Sequence, residues 1–503
     1  TLFEGSSLGS KHGPRSKGEA RQSAMAGPQK VFIQTCGSRG DLQPYIPIAL
    51  AIRDTGCEVC IISNTGHQAF VEECGIKFYG CWIDSEKFMQ ENEQCKKALA
   101  TGSMSAFLKC LEQANKEHCK DNAAKWKQAV DDFKPDLVIS GTLTELYGRI
   151  AAYHMGLPVI ELKLQAYSPK PKRAPLGLPQ LPCGLNAWVW KNVILGESWK
   201  GWVAVNPGVK EAMGSNLTDI FSKQMFLEDF LTPDNQPIPL LIAQASIFTG
   251  ITFPDLPNIY QCVGHSVITA DEQVRLSKEG QQSQFGSARD LDAVSAFIAA
   301  GSQPVYMGWG SMICRSPEYM VVTVSRALKH SGLRGIIQGG WARLSMDMLK
   351  SNTKDDALIK YMEENAIFVE KAPHEWLFPQ CACAVHHGGA GTFGCASRAG
   401  VPSVITPVFL DQFDHAYLLS QLGFGIGFKQ QFQKIKPEKL GDAMKKVVRS
   451  AAMATKAKEV SESMKAEDAP AAVVQYISDF WINRVESGKF KAAIELRQLK
   501  PAA

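Results

Sequence analysis

Apolar runs of strand length alternate with segments of helical period through most of this 503-residue chain. The first run, residues 30–36, breaks off at the glycine loop GSRGDLQP, and Pro44 then opens a helix carrying Ile48, Ala49 and Ile52. A strand over 58–63 and a helix over 68–74 repeat the βα pattern. A long helix is predicted from about 103 to 133, stopped by Pro135 and followed by a strand at 136–140. Thr142-x-x-Glu145 then reads as a capping box opening a helix to His154, with a cleft-lining role for Glu145 as the alternative. Further strands are expected near 240–248 and 259–263. The rhythm restarts with a strand at 305–307, a helix at 317–331 and strands at 334–338 and 366–370. Residues 345–358 read as a polar surface loop. An apolar run at 381–385, a helix ending near Ala399, and a strand at 404–405 follow. The last long helix, about 469–485, carries Val473, Ile477, Phe480 and Trp481 on one face.

The break between the two rhythms, residues 266–290, is polar and rich in Gln and Ser, so it reads as a linker. It divides a first α/β domain, 28–265, from a second, 291–468, with 469–503 as a terminal helix and tail. Residues 1–27 are rich in Gly, Ser, Lys and Arg without an apolar signal core and read as a disordered leader. The stretch 168–184 is Pro-rich and expected to be irregular. Trp188, Trp190, Trp199 and Trp202 follow it closely; they read either as a wall for a flat apolar molecule or as packing of a long insertion.

Composition narrows the classes. A net charge of +4 is small for this length and gives no concentrated basic face for nucleic acid. The 14 cysteines are scattered, which fits reduced thiols in the cytosol serving as small core residues. No apolar run reaches bilayer-spanning length, so the expected location is cytoplasmic, with peripheral membrane contact left open. The GxxxxGK[ST] phosphate loop is absent and no GxGxxG follows the first strand, which argues against a P-loop nucleotidase and a dinucleotide oxidoreductase.

The most informative stretch is HHGGAGTFGCASRAGVPSVITPVFLDQ, residues 386–412. Gly388, Gly389 and Gly391 remove side chains where a helix should begin, so the N–H groups near Gly389, Ala390, Gly391 and Thr392 can cradle an anion. A histidine beside the turn adds a charge-assisted hydrogen bond to the same guest. Across the chain, Asp41 in GSRGDLQP sits between a strand end and a helix. It reads equally as a general base and as a helix N-cap.

HHGGAGT with RAGVP and the DQ pair, together with GSRGDLQP, GWGS at 308–311 and APHEWLFP at 372–379, resembles the inverting glycosyltransferases. The likeness is strongest to the sterol 3β-glucosyltransferases and the bacterial enzymes that glycosylate antibiotics, and spans roughly residues 30–480. It implies the GT-B arrangement, two facing Rossmann-like domains with parallel sheets and a terminal helix crossing back to the first. By that resemblance Asp41 is the base, and His387, Gly391, Thr392 and Ser311 meet the donor diphosphate. Asp411 and Gln412 hold sugar hydroxyls, and Ala372 and His374 line the base-contacting loop, where Trp341 can stack on uracil. Ser38, Arg39 and Gly40 are expected to face the donor, and His386 to be structural. The implied donor is a UDP-sugar used as a co-substrate, with no separate cofactor, and the acceptor an apolar alcohol such as a sterol, a phenol or polyketide being the alternative.

The chain departs from the pattern at several places. Gln34, Thr35 and Cys36 stand where plant relatives carry a catalytic histidine, Leu410 replaces the usual glycine before the DQ pair, and Lys371 replaces a tryptophan. Asp290-x-Asp292 has the spacing of a manganese-binding pair but lies at the linker edge, while Asp131-Asp132 and Asp355-Asp356 read as solvated charges; no metal is expected. A non-catalytic binding protein on the same scaffold remains the rival class. The joint presence of Asp41, His387, Asp411 and Gln412 argues against it.

Overall fold

The computed structural model describes residues 27–165, 181–182, 185–231, 236–252, 259–279 and 284–499. The first seven strands are β1 (Lys30–Gln34), β2 (Glu58–Asn64), β3 (Lys77–Trp82), β4 (Leu137–Ser140), β5 (Val159–Lys163), β6 (Leu240–Ile242) and β7 (Tyr260–Cys262). They form one parallel sheet in the order β3-β2-β1-β4-β5-β6-β7. A second parallel sheet, β10-β9-β8-β11-β12-β13, uses β8 (Val305–Gly308), β9 (Gly335–Gln338), β10 (Ala366–Val369), β11 (Cys383–His386), β12 (Ser403–Ile405) and β13 (Gly425–Gly427). In each sheet the strand order reverses at one point, between β1 and β4 and between β8 and β11. Such reversals open crevices at the carboxyl ends of strands, and GSRGD, GWGS and HHGG all leave strands at these two points.

Most strands are continuously buried because helices cover both sheet faces, so they show no alternation. The helix Met104–Phe133 starts where the Ser103 hydroxyl accepts the N–H of Ala106 and stops at Lys134, which adopts φ 53° before Pro135. The terminal helix Ala469–Phe480 does cross back: Val473, Ile477 and Phe480 lie in one hydrophobic cluster with β1 and β2 residues such as Val31 and Ile61. Traffic also runs the other way. Met89, Cys95, Leu99 and Phe107 of the first domain share a cluster with Val305, Val385 and Phe409 of the second.

Several expectations are corrected. Residues 345–358 are not a loop but the helix Met346–Asn352 and the start of Asp356–Asn365, each capped by its own Ser345 or Asp355 side chain. The stretch 266–290 carries the helix Ala270–Glu279, followed by Ala288–Ala299. Thr142-x-x-Glu145 is no capping box: residues Thr142–Thr144 form a 3₁₀ turn, and Glu145 instead pairs with Lys163 at 2.9 Å. The run at 240–248 leaves the sheet after Ile242 and becomes the helix Ser246–Thr252. Most of 168–184 lies outside the described residues. Cys57 and Cys60 have C-x-x-C spacing at the head of β2, yet both thiols are free, and Cys57 donates to the Pro28 carbonyl.

Candidate functional site

The anion seat forms at the end of β11. Gly388 takes φ +93°, and a β-carbon built there would lie 2.7 Å from Ile405 Cγ2, so both conformation and space require glycine. The turn is pinned by two histidines. His386 Nδ1 accepts the Gly388 N–H at 3.1 Å, and His415 Nδ1 donates to the Gly388 carbonyl at 2.7 Å. The helix Ala390–Arg398 then begins behind Gly389 with no side-chain cap. The first N–H groups of a helix have no intrahelical acceptor, so the start presents donors and the positive end of the dipole. His387 lies beside it, buried, with Nδ1 lacking any hydrogen-bond partner among the described residues. Burial, with the neighbouring His415, lowers the His387 pKa to about 4, so its imidazole is neutral near pH 7. Glycines keep room for that ring: a β-carbon on Gly389 would approach His387 Nε2 to 2.4 Å, and one on Gly310 would reach Cε1 at 3.3 Å.

The loop that carries Asp41 lies against this turn from the first domain. Its loop is braced by Asn64, whose Oδ1 accepts the Gly37 N–H at 2.8 Å, and by Ser85, whose hydroxyl donates to the Gly37 carbonyl at 3.0 Å. Asp41 Oδ2 accepts from the Ser38 N–H at 2.7 Å and from the Ser38 hydroxyl at 2.9 Å, so it caps its own short helix. Its loop is adjacent to the seat: a β-carbon on Gly391 would lie 3.8 Å from the Cα of Gly40, the residue before Asp41. Burial raises the Asp41 pKa. The Asp411 pKa is pushed up to about 7, first by burial and then by the charges of Asp41 and Asp414. The Asp41 carboxylate's two hydrogen bonds both go to Ser38, within a loop packed against the turn.

Arg39 reaches the segment that joins the two domains. Its guanidinium bonds the Gln284 carbonyl and lies 5.4 Å from the centre of the Phe285 ring, and its charge helps lower the pKa of His374. His374 is engaged within its own domain, with Nε2 2.9 Å from Gln338 Oε1 and 3.0 Å from the Tyr306 hydroxyl, and its ring stacked on Phe378. Ala372 is buried. This loop therefore offers a rigid backbone edge instead of a free histidine. Trp341 is half-buried and donates its backbone N–H to the Gly310 carbonyl at 3.0 Å, which ties it to the GWGS loop holding Ser311. Gln412 uses its Oε1 to accept the N–H groups of Val408 and Phe409. Asp411 begins the next helix, 3.7 Å from His415.

The tryptophan wall is corrected. Trp190 and Trp199 are buried, Trp199 against Phe226, and Trp202 packs edge-on to Phe226 at 4.7 Å, which makes them the core of the helical insertion. Trp188 alone of the four is well exposed. Gln34, one of the residues where a plant-type histidine would stand, is consumed by bonds to Trp126, Ser140 and Thr144. Sequence reasoning missed Asn64, Ser85, Gln338 and His415. Of these only His415 had a local signal, four residues after Asp411 on a helix and so on the same face.

Known proteins resemble the chain along both domains. Residues 31–160 match the glycosyltransferase family 28 N-terminal domain, and 347–480 match the erythromycin biosynthesis protein CIII-like C-terminal domain. A sterol 3-beta-glucosyltransferase of Saccharomyces cerevisiae is 25% identical over 489 residues, 94% of this chain and 37% of that protein. One from Arabidopsis thaliana is 26% identical over 409 residues, 79% of this chain and 59% of that protein. The chain thus spans less than two thirds of the length of these relatives. Among solved structures, the calicheamicin glycosyltransferase CalG4 matches with TM-score 0.57 at 13% identity, over 90% of this chain and 98% of that one. The Streptomyces sp. SF2575 glycosyltransferase SsfS6, complexed with thymidine diphosphate, matches with TM-score 0.54 at 16% identity, over 90% of this chain and 99% of that one. The fold is GT-B.

Proposed function

We propose that this relative of the sterol 3-beta-glucosyltransferases, a GT-B protein by fold, moves a hexose from a UDP-sugar to the hydroxyl of a sterol or similar apolar alcohol, with inversion. The observation that carries the reading is the uncapped start of the helix Ala390–Arg398, with the orphaned His387 Nδ1 beside it and the Asp41 loop directly against it. In this reading the diphosphate sits on the Ala390, Gly391 and Thr392 N–H groups, and the sugar extends towards Asp411 and Gln412. Asp41, whose pKa burial raises, takes the acceptor's proton as its oxygen attacks the anomeric carbon. The bond from that carbon to the phosphate oxygen breaks, its electron pair passes to the leaving UDP, and the helix end and His387 stabilise that charge. Attack opposite the leaving group turns an α-linked donor into a β-glycoside. Closure of the two domains excludes water and aligns the reacting atoms.

A phenolic or polyketide acceptor is the second reading, favoured by the packing of Trp190, Trp199 and Trp202 into the insertion core, which removes three apolar surfaces from a sterol wall. Incubation with UDP-glucose and parallel panels of sterols and phenols separates the two. Sterol glucoside without phenol glucoside supports the first; the reverse supports the second. UDP-glucose binding without transfer to any acceptor would leave a nucleotide-sugar-binding protein.

A further inference from the structure

The sugar-contact loop of the second domain is tied at almost every backbone group, and two of the ties come from the first domain. Val408 and Phe409 give their N–H groups to Gln412 Oε1, at 2.8 and 3.0 Å. The Val408 carbonyl accepts from Gln431 Nε2 at 3.0 Å, and the same amide donates to the carbonyl of Gly102, across the domain boundary, also at 3.0 Å. Phe107 of the first domain lies flat on Phe409, with ring centroids 5.3 Å apart and planes 6° apart. Gly102 takes φ +67° as the C-cap of the helix Glu93–Thr101, a conformation that favours glycine, and a β-carbon there would displace the Gln433 amide, whose Nε2 would lie at 1.8 Å.

Between this clamp and Asp411 stands Leu410, at φ +50°. A left-handed leucine is strained, and such strain persists where surrounding contacts over-determine it. Here the contacts that do so belong partly to the other domain. When the domains separate, the Phe107 stack and the Gly102 bond are lost together, and Leu410 is then free to relax towards negative φ, turning Asp411 away.

We propose that residues 102–107 act as a closure latch: docking on Val408 and Phe409 holds Leu410 left-handed and so sets Asp411 and Gln412 for the donor sugar. The inference rests on the reading of those two residues as sugar contacts. Gly102, Phe107 and Gln431 are positioning residues and touch no substrate. Since UDP carries no sugar, its affinity does not depend on the latch, whereas that of UDP-glucose does.

The test uses the full chain with Phe107→Ala, Gln431→Leu as a second variant that removes the bridge at a half-buried site, and Phe107→Tyr as the conservative rescue. Amide hydrogen exchange of residues 408–413 is measured in each, with UDP and UDP-glucose affinities by calorimetry. Expected are faster exchange in that loop alone, UDP-glucose binding weakened about tenfold with UDP within about twofold, and recovery in Phe107→Tyr. Unchanged exchange at 408–413 overturns the latch, as does equal weakening of UDP and UDP-glucose. If the unaltered protein binds neither nucleotide, the reading of the site fails instead, and the exchange measurement still decides whether the first domain holds this loop.

Discussion

Replacing Asp41 by Asn separates the hydrogen bonds its carboxylate makes to Ser38 from the general-base role proposed for it. The substitution is isosteric, which matters because the chain closes tightly around the side chain: a β-carbon on Gly37 would lie 2.4 Å from Asp41 Oδ2. An amide oxygen in the same place can still accept both Ser38 bonds, at 2.7 and 2.9 Å, so the cap is largely kept. Complete loss of a cap costs about 1 kcal/mol, which sets the ceiling on destabilisation and corresponds to a melting shift of about 2–4 °C. The proton acceptor, in contrast, is gone. General-base catalysis contributes about 10²–10⁴-fold, or roughly 3–5 kcal/mol of barrier, several times the structural term. Steady-state transfer from UDP-glucose, UDP calorimetry and a thermal melt on Asp41→Asn give the three readings required. The expected result is kcat lower by at least about a hundredfold, UDP affinity within about threefold and melting within a few degrees. Turnover within about threefold of the unaltered protein would refute the base assignment. A joint collapse of melting and UDP binding would leave Asp41 with its cap alone.

Three further outcomes are expected. Gly389→Ala drives a β-carbon towards His387 Nε2, where 2.4 Å is available, whereas Gly391→Ala meets only Gly40 Cα at 3.8 Å; UDP binding measured by calorimetry falls about tenfold or more in the first and is less affected in the second, and equal losses would contradict the placing of His387 at the seat. UDP-glucose, whose diphosphate does not titrate near neutrality, binds more tightly as pH falls from about 8 to 6: a bound anion lifts His387 from its pKa of about 4, so binding takes up a proton, and Asp411, at about 7, sheds its repulsive charge over the same range. His387→Gln removes the first contribution and Asp411→Asn the second, and a flat or inverted profile in the unaltered protein would reject both. Arg497→Met, which strips the buried Asp229 of its 2.8 Å partner and Glu228 of its 2.7 Å one, costs about 3 kcal/mol in a denaturant melt, near the low end for a broken buried pair because Arg149 still contacts Asp229; a loss below about 1 kcal/mol would show that the network contributes little.

How much of this was legible beforehand follows from the range of the forces involved. The helix Pro317–Ser331 was read to the residue because its start and stop are local: Ser316 and Pro317 at one end, Gly332 at φ +69° at the other. Strands β3, β5 and β13 were missed. In β3, Lys77, Phe78, Tyr79 and Gly80 give no apolar run, and the strand exists because β2 offers it an edge. Glu145 was misread for the same reason. Its spacing from Thr142 matches a capping box, but its partner is Lys163, the last residue of β5, and a buried lysine outbids a local N–H for a carboxylate.

The site divides along the same line. The glycine turn and helix start were legible because they follow one another in order along the chain, and the structure brings HHGGAGT and GSRGD together at Gly391 and Gly40. The contacts that give each side chain its conformation were not, since Asn64 and Ser85 brace Gly37, and Tyr306 and Gln338 hold His374, from other loops and strands. Leu410 is the instructive case. The sequence shows a departure from the glycine usual in similar enzymes, which by itself reads as a weakened sugar site. In the fold the leucine keeps the left-handed backbone a glycine would adopt, at φ +50°, under a clamp that includes Phe107 of the other domain. A glycine there would make the loop's shape independent of closure; a leucine makes that shape cost free energy that domain contact must supply. Leu410→Gly therefore relieves the strain, and in the Phe107→Ala background it restores UDP-glucose affinity towards that of the unaltered protein. A double variant no better than Phe107→Ala alone would mean that the strain at Leu410 is not what the latch opposes.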